Sequence, residues 1–398
     1  MPFVFALIRG LEVFMIYLDN NATTAIDPQV LDAMLPYLKE QYGNPSSAYA
    51  FGKKVARAVE NAREQVAALL HCDPAEIVFT SCGTESDNTA VQSTLWIDRD
   101  RKHIITSKVE HSAILRQAEA LARRGYEITW IEVDERGLPD LAALEEAIRP
   151  DTAIVSLMWA NNETGVLFPI AEIAAICQRK QTIFHTDAVQ AVGKVPIDLR
   201  AGNIQFLALS GHKLHAPKGV GALYVNRRTR FNPFLIGGSQ EEKRRGGTEN
   251  TASIVALGKA AELALEHLTE ENTRVRDLRD RFEQDVMKRI SGVRINGDTE
   301  HRLPNTANLA IEGADSEALL MLLDQKGVCC SAGSACTAGS LEPSHVLRAM
   351  GFSTDRARAS LRFSFGRFNT EEEVSAVANI LAAAVEKVRG ANRGVLAA

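Results

Sequence analysis

The sequence predicts an α/β protein in two parts, a large domain on a mostly parallel sheet and a smaller α+β domain at the C-terminal end. Three observations predict it. Short apolar runs alternate with helical stretches between about residues 77 and 225. The chain has 398 residues, 45% of them hydrophobic, more than the roughly 250–300 residues at which single cores stop growing. Beyond about residue 255 a long charged helical region leads into strand, helix and strand in a different order. The expected division is a large domain over 15–260 and a small one over 261–398, with residues 15–25 able to pack on the small one.

The opening "MPFVFALIRGLEVFMIYLDN" is apolar, but it carries an arginine, has no small-residue cleavage site and is too short to span a bilayer. It predicts no export signal. Met15 directly precedes "IYLDNNATT", where turn and cap chemistry begins, so residues 1–14 read as upstream of the native start. "DPQVLDAMLPYLKEQYGNPSS" predicts a helix with Asp27 as N-cap, a proline at its first position and a stop at Gly43-Asn44-Pro45. Val55, Val59, Ala62, Val66 and Leu70 recur at helical spacing and predict a second helix over 54–70. The strands then follow as "EIVFT", "HIITS", "EITWIEV", "AIVSLMW", "TIFHTD", "IQFLALS" and "GALYV". "ALGKAAELALEHLTEENTRVRDLRDRFEQDVMKRI" predicts a long helical region, and "NTANLAI", "DSEALLMLLDQKG" and "RASLRFSFGRF" supply the small domain.

A net charge of -5 with scattered basic residues lacks the footprint that nucleic acid demands, so neither nucleic acid nor membrane is an expected partner. Six cysteines, unevenly spaced in a chain without an export signal, predict reduced thiols and a cytoplasmic location. Cys329, Cys330 and Cys336 lack the paired spacing of zinc sites, so no metal is expected. Cys72, Cys82 and Cys177 read as structural.

Ligands of open α/β sheets sit outside the carboxyl ends of the strands, so the residues after each run matter most. "IVFT" is followed by "SCGTESDN", whose amides at Gly83 and Thr84 open a helix and can hold a phosphate. The other runs lead to His111, to Asn161 and Asn162, to Asp187 and Gln190, and to Ser210, His212 and Lys213. Singly these read as an N-cap, a capping histidine, a turn aspartate and a solvated amine. Together they are the set that binds a phosphorylated pyridine aldehyde, with a lysine for the Schiff base and an aspartate for the ring nitrogen.

With "SGHKLHAPKGVG", "FHTDAVQAVGKVPIDL", "WANNETG" and "FTSCGTESDN", the sequence resembles the cysteine desulfurases, pyridoxal-phosphate relatives within aminotransferase class V, and most of all their nitrogen-fixation type. The likeness runs from "YLDNNATT" to "LRFSFGRFNTEEE". It implies the fold of the fold type I, aspartate aminotransferase-like transferases. It further implies pyridoxal 5'-phosphate bound by Lys213 as a Schiff base, with His111 over the ring and assisting proton transfer, Asp187 at the ring nitrogen and Gln190 near the phenolic oxygen. Asn162 would lie near substrate and cofactor oxygens. Gly83, Thr84, Ser210 and His212 would hold the phosphate. Thr248 would reach the phosphate of a partner subunit, making a homodimer, and Arg362 would grip the carboxylate of substrate L-cysteine.

In the same likeness, Cys336 of "GSACTAGS" matches the nucleophile that takes the sulfur. Glycine, serine and alanine around it over 329–340 predict a loop that can travel. The implied products are L-alanine and a persulfide on Cys336, passed to an iron-sulfur scaffold whose cluster can contact Cys336 during transfer. The likeness weakens at "GGSQEEKRRGG", where Ser239 and Glu242-Lys243 replace the usual histidine and arginine-glycine pair, and in the short tail, which leaves the acceptor open. A transaminase or selenocysteine lyase of the same fold, a housekeeping sulfur donor and a non-enzymatic cysteine-rich binding protein remain as alternatives.

Overall fold

The structure is a computed structural model that describes residues 15–333 and 342–396. A short strand β1 (Ile16–Tyr17) precedes helices α1 (Pro28–Lys39) and α2 (Ala50–Leu70). Asp27 caps α1 by accepting from Gln29 N, with Pro28 at the first position. The helix ends before the predicted stop at Gly43, because the amides of Glu40 and Gln41 both turn back onto the Pro36 carbonyl. The second helix starts four residues earlier than Lys54, at Ala50. Its face of Val55, Val59, Ala62 and Val66 is buried as the spacing requires.

The central layer alternates β2 (Ile77–Thr80), α3 (Gly83–Ile97), β3 (His103–Ser107), α4 (Ser112–Ala122), β4 (Glu127–Ile131), α5 (Leu141–Ala147), β5 (Thr152–Ser156), α6 (Ile170–Arg179), β6 (Ile183–Asp187), β7 (Phe206–Ser210) and β8 (Gly221–Val225). The seven strands form one sheet in the order β2-β8-β7-β6-β5-β3-β4. All run the same way except β8, which is antiparallel to both β2 and β7. The connection from Ser210 to Gly221 is too short for a crossover, so β8 folds back as a hairpin. Lys213 stands in that hairpin, at the carboxyl edge where β2, β3, β5 and β6 also end.

The long helical region is not one helix. Helix α7 (Thr251–Glu266) is followed by α8 (Leu268–Glu270), a π-helical turn at Glu271–Val275, and α9 (Arg276–Arg289). Strands β9 (Val293–Ile295) and β10 (Thr306–Ile311), helix α10 (Ser316–Asp324), strand β11 (Val328–Cys329), helices α11 (His345–Ala349) and α12 (Thr354–Arg358), strand β12 (Ser360–Ser364) and helix α13 (Glu371–Leu396) complete the described chain. β12, β10 and β9 form an antiparallel sheet, and β11 pairs in parallel with β1. Two large apolar cores result. One joins the seven-stranded sheet to α1, α2 and α7 and takes in Leu303, Val346 and Leu347. The other packs Leu18, Phe282, Phe363, Phe365 and Leu381 around the three-stranded sheet.

Candidate active site

At the carboxyl edge of the large sheet lies a pocket of about 250 Å³. Gly83, Thr84, His111, Asn162, Asp187, Gln190, Ser210, His212, Lys213 and Arg362 all line it. Several sit where an element begins or ends: Thr84 lies in the first turn of α3 after β2, His111 caps α4 after β3, Asp187 closes β6, and Ser210 closes β7, whereas Arg362 lies inside β12. The predicted capping histidine and the predicted pocket histidine are the same residue, since His111 Nδ1 accepts from Ala113 N at 3.2 Å. Thr248 does not line this pocket; it borders a separate surface cleft with Arg245, Gly247 and Asn250. Cys336 lies outside the described residues.

Lys213 rests on backbone oxygens, donating to Asn21 at 2.5 Å and Ala22 at 2.7 Å. These carbonyls belong to the segment after β1, which is stitched in place from several sides. Asn21 donates through Nδ2 to Thr306 Oγ1 at 2.8 Å and accepts through Oδ1 from Asn305 Nδ2 at 3.0 Å. Asn20 N donates to the Ser364 carbonyl at 3.2 Å, and Thr24 N to the His212 carbonyl at 2.9 Å.

The pocket floor is rich in buried acid. Burial pushes the Asp187 carboxyl up, while His111 and Lys213 pull it back, and its Oδ1 accepts from Val189 N at 2.9 Å. Asp87 is pushed further up by burial, by Asp187 and by Glu110. Its Oδ1 comes within 3.4 Å of His185 Nε2 but without hydrogen-bond geometry, and burial drives His185 down to about 3. A neutral His185 follows. Glu110, pushed up by burial to about 8, holds Oε1 between Ser107 Oγ and Met158 N at 2.8 and 2.9 Å. His212 is lowered to about 4 by burial and then by Lys213 and Lys218.

Arg362 is fully buried. One terminal nitrogen pairs with Asp19 Oδ1 at 2.7 Å and the other donates to the Asn162 carbonyl at 2.9 Å, while Nε is buried with no hydrogen-bond partner among the described residues. Of the cysteines read as structural, Cys72 and Cys177 are buried, but Cys82 is half-buried and lines the pocket as the residue before α3. Sequence reading also passed over Asn21, Ala22, Asp87 and Asp19. Their signal was the polar run "DNNATT" and the aspartate one turn into α3, neither of which announces a lysine cradle or a buried acid. Among the described residues no group of three or more histidine, cysteine, aspartate or glutamate side chains is placed to hold a metal ion.

The donor set fits pyridoxal phosphate on its chemistry. The first amides of α3 can receive an anion, and Gly83 leaves the approach open, since a Cβ there would stand 2.7 Å from Val189 Cγ2. A buried carboxylate meets a ring nitrogen, and a lysine on neutral acceptors stands ready for an aldehyde.

Fold and site together define an enzyme of the class V aminotransferase type. Residues 16–377 match the aminotransferase class-V family, to which the chain belongs. Within it the chain falls among the cysteine desulfurases. It is 51% identical over 375 residues to the cysteine desulfurase of Trichormus azollae, covering 94% of each chain. It is 52% identical over 363 residues to the cysteine desulfurase NifS of Azotobacter vinelandii, covering 91% of this chain and 90% of that one. A solved NifS-like protein superposes with a TM-score of 0.88 at 35% identity, covering 94% of this chain and 99% of the other.

Proposed function

We propose that the chain is a pyridoxal-phosphate-dependent cysteine desulfurase that converts L-cysteine to L-alanine and leaves the sulfur as a persulfide on Cys336. The observation that carries it is the convergence of Lys213, Asp187, His111, Thr84 and Arg362 on one pocket. When bound, the cofactor supplies an electron sink next to the substrate α-carbon. The residues supply the rest. Asp187 would favour a positive charge at the ring nitrogen, and His111 would cover the ring. The α3 amides, Ser210 and His212 would hold the phosphate. Arg362, whose Nε has no partner among the described residues, would take the substrate carboxylate.

Lys213 Nζ is the base for the α-proton. Its two carbonyl contacts hold the amine at the pocket. In the overall change the substrate Cβ–S bond breaks, an S–S bond forms on Cys336, and the thiol protons end on the alanine methyl and the terminal sulfur. No external oxidant or reductant is needed.

The division into 15–260 and 261–398, with 15–25 on the small domain, draws support from the second core and from the pairing of β1 with β11, while the first core also takes in Ala261, Leu263, Leu303 and Val346. A homodimer is supported by Thr248, which lies outside its own chain's pocket, and by Ile236, an apolar residue that is 84% exposed. The reading further includes a cytoplasmic location and delivery of sulfur to an iron-sulfur scaffold of the nitrogen-fixation type. The test is mass spectrometry of alanine and of Cys336 after adding L-cysteine to wild type and Cys336→Ala. Alanine with persulfide in wild type, both lost in the variant, is the expected result. Equal alanine in both, with no persulfide, would leave the fold and remove the sulfur-carrier role.

A further inference from the structure

Behind the pocket wall lies a buried ammonium that the reaction above does not use. Lys194, 6% exposed, donates through Nζ to the Gln190 backbone oxygen at 3.2 Å and to Gln190 Oε1 at 3.1 Å. Gln190 Nε2 in turn donates to the Asn21 carbonyl at 2.9 Å, the same oxygen that accepts from Lys213. An ammonium can only donate and a carbonyl can only accept, so these two contacts fix which end of the Gln190 amide is oxygen and which is nitrogen. Nε2 has two hydrogens. One is on Asn21, and the second is left for the pocket that Gln190 lines.

We propose that Lys194 is a positioning residue, pinning the Gln190 amide oxygen so that the amide nitrogen presents a donor to the phenolic oxygen of the cofactor. The inference rests on the pyridoxal-phosphate reading. Lys194 does not line the active-site pocket and acts only through Gln190. It is itself held in place, since its backbone oxygen accepts from Asn272 Nδ2 at 2.8 Å in the π-helical turn. On its other side Lys194 lines a cavity of about 30 Å³ together with Glu271, Lys213, His215, His267 and Arg367. That volume suits about one water. Burial lowers the Lys194 pKa to about 8, with Glu271 opposing the shift and Arg362 adding to it, so the ammonium persists at neutral pH. Without it, the amide oxygen has no fixed donor and the amide can turn over, placing a lone pair against a phenolate.

A donor to the phenolic oxygen favours the deprotonated form of the bound cofactor, whose negative charge on that oxygen is greater. Losing it therefore moves the pH midpoint of the visible band upward. The experiment titrates that band, and measures kcat and KM, in wild type, Lys194→Met, Gln190→Met, the double variant and Lys194→Arg, all loaded with pyridoxal 5'-phosphate. Lys194→Met should raise the midpoint by about one pH unit, the size of one lost charge-assisted hydrogen bond. Gln190→Met should do the same, the double variant no more than either, and Lys194→Arg should return toward wild type. An unchanged midpoint in Lys194→Met, or shifts that simply add in the double variant, would overturn the proposal. If Lys194→Met fails to fold by circular dichroism, Lys194→Leu takes its place with the same expectation. A wild type with no visible band would instead bring down the cofactor reading, and this inference with it.

Discussion

Arg362 and Asp19 form an ion pair of 2.7 Å in which the arginine side chain is 1% and the aspartate 16% exposed. Ser331 Oγ also donates to both Asp19 oxygens at 3.0 Å, so the aspartate is shared. Asp19→Ala would strand a buried guanidinium and should cost about 3–5 kcal/mol, read as a fall in the urea midpoint. Arg362→Lys keeps a charge but loses the fork. Its kcat/KM for L-cysteine should fall about 10–100-fold, mostly through KM.

Glu110→Gln tests the buried acid beneath the pocket. The folded-state pKa of Glu110 is raised to about 8 from an ordinary 4.5. The folded form therefore binds a proton that the unfolded form gives up, and wild type loses stability as pH rises from about 4.5 to 8. Glutamine cannot ionise. The stability of the variant relative to wild type should rise across that window and level off above it, as denaturation midpoints at pH 5, 6, 7 and 8.5 will show.

Gly83→Ala should act on the cofactor more than on the fold. The added methyl meets Val189, a residue of the pocket lining. Overpacking of this kind costs about 1–3 kcal/mol, so binding of pyridoxal 5'-phosphate should weaken about 10-fold or more in equilibrium dialysis while circular dichroism stays native.

Glu241→Ala addresses the segment that leads to Thr248. Glu241, at φ 45°, binds Arg63 through both oxygens at 2.8 and 2.9 Å and accepts from Phe79 N at 2.9 Å. Both charges are buried. The substitution removes the buried partner of Arg63, which keeps only the exposed Glu60 at 3.1 Å, and should cost about 3 kcal/mol, visible as a lower thermal midpoint. Glu241→Gln, which keeps the shape, should lose less.

These residues differ in how visible they were beforehand. Lys213, Asp187 and His111 were legible because each follows an apolar run, and a sheet gathers the ends of its parallel strands whatever their separation in sequence. Asn21 and Ala22 were not, because they act through backbone carbonyls, which every residue possesses. Lys194 carries no motif of its own in the sequence, and its burial is seen only in the structure. The antiparallel course of β8 was hidden for a different reason: apolar alternation records that a strand is covered, not which way it runs. The end of α1 after Lys39 and the turn from Glu271 to Val275 likewise depend on backbone hydrogen bonds that periodicity does not encode.

The stitching of Asn20 to Ser364 and of β1 to β11 also sets an order of assembly. A ribosome releases residue 20 long before residue 364, and large domains fold as their sequence emerges. The seven strands of the sheet can pair once Val225 is out, yet the segment that cradles Lys213 must wait for β11 and β12. The piece of this site made first is thus among the last to be fixed, and a nascent chain can fold most of its sheet before it can hold its lysine.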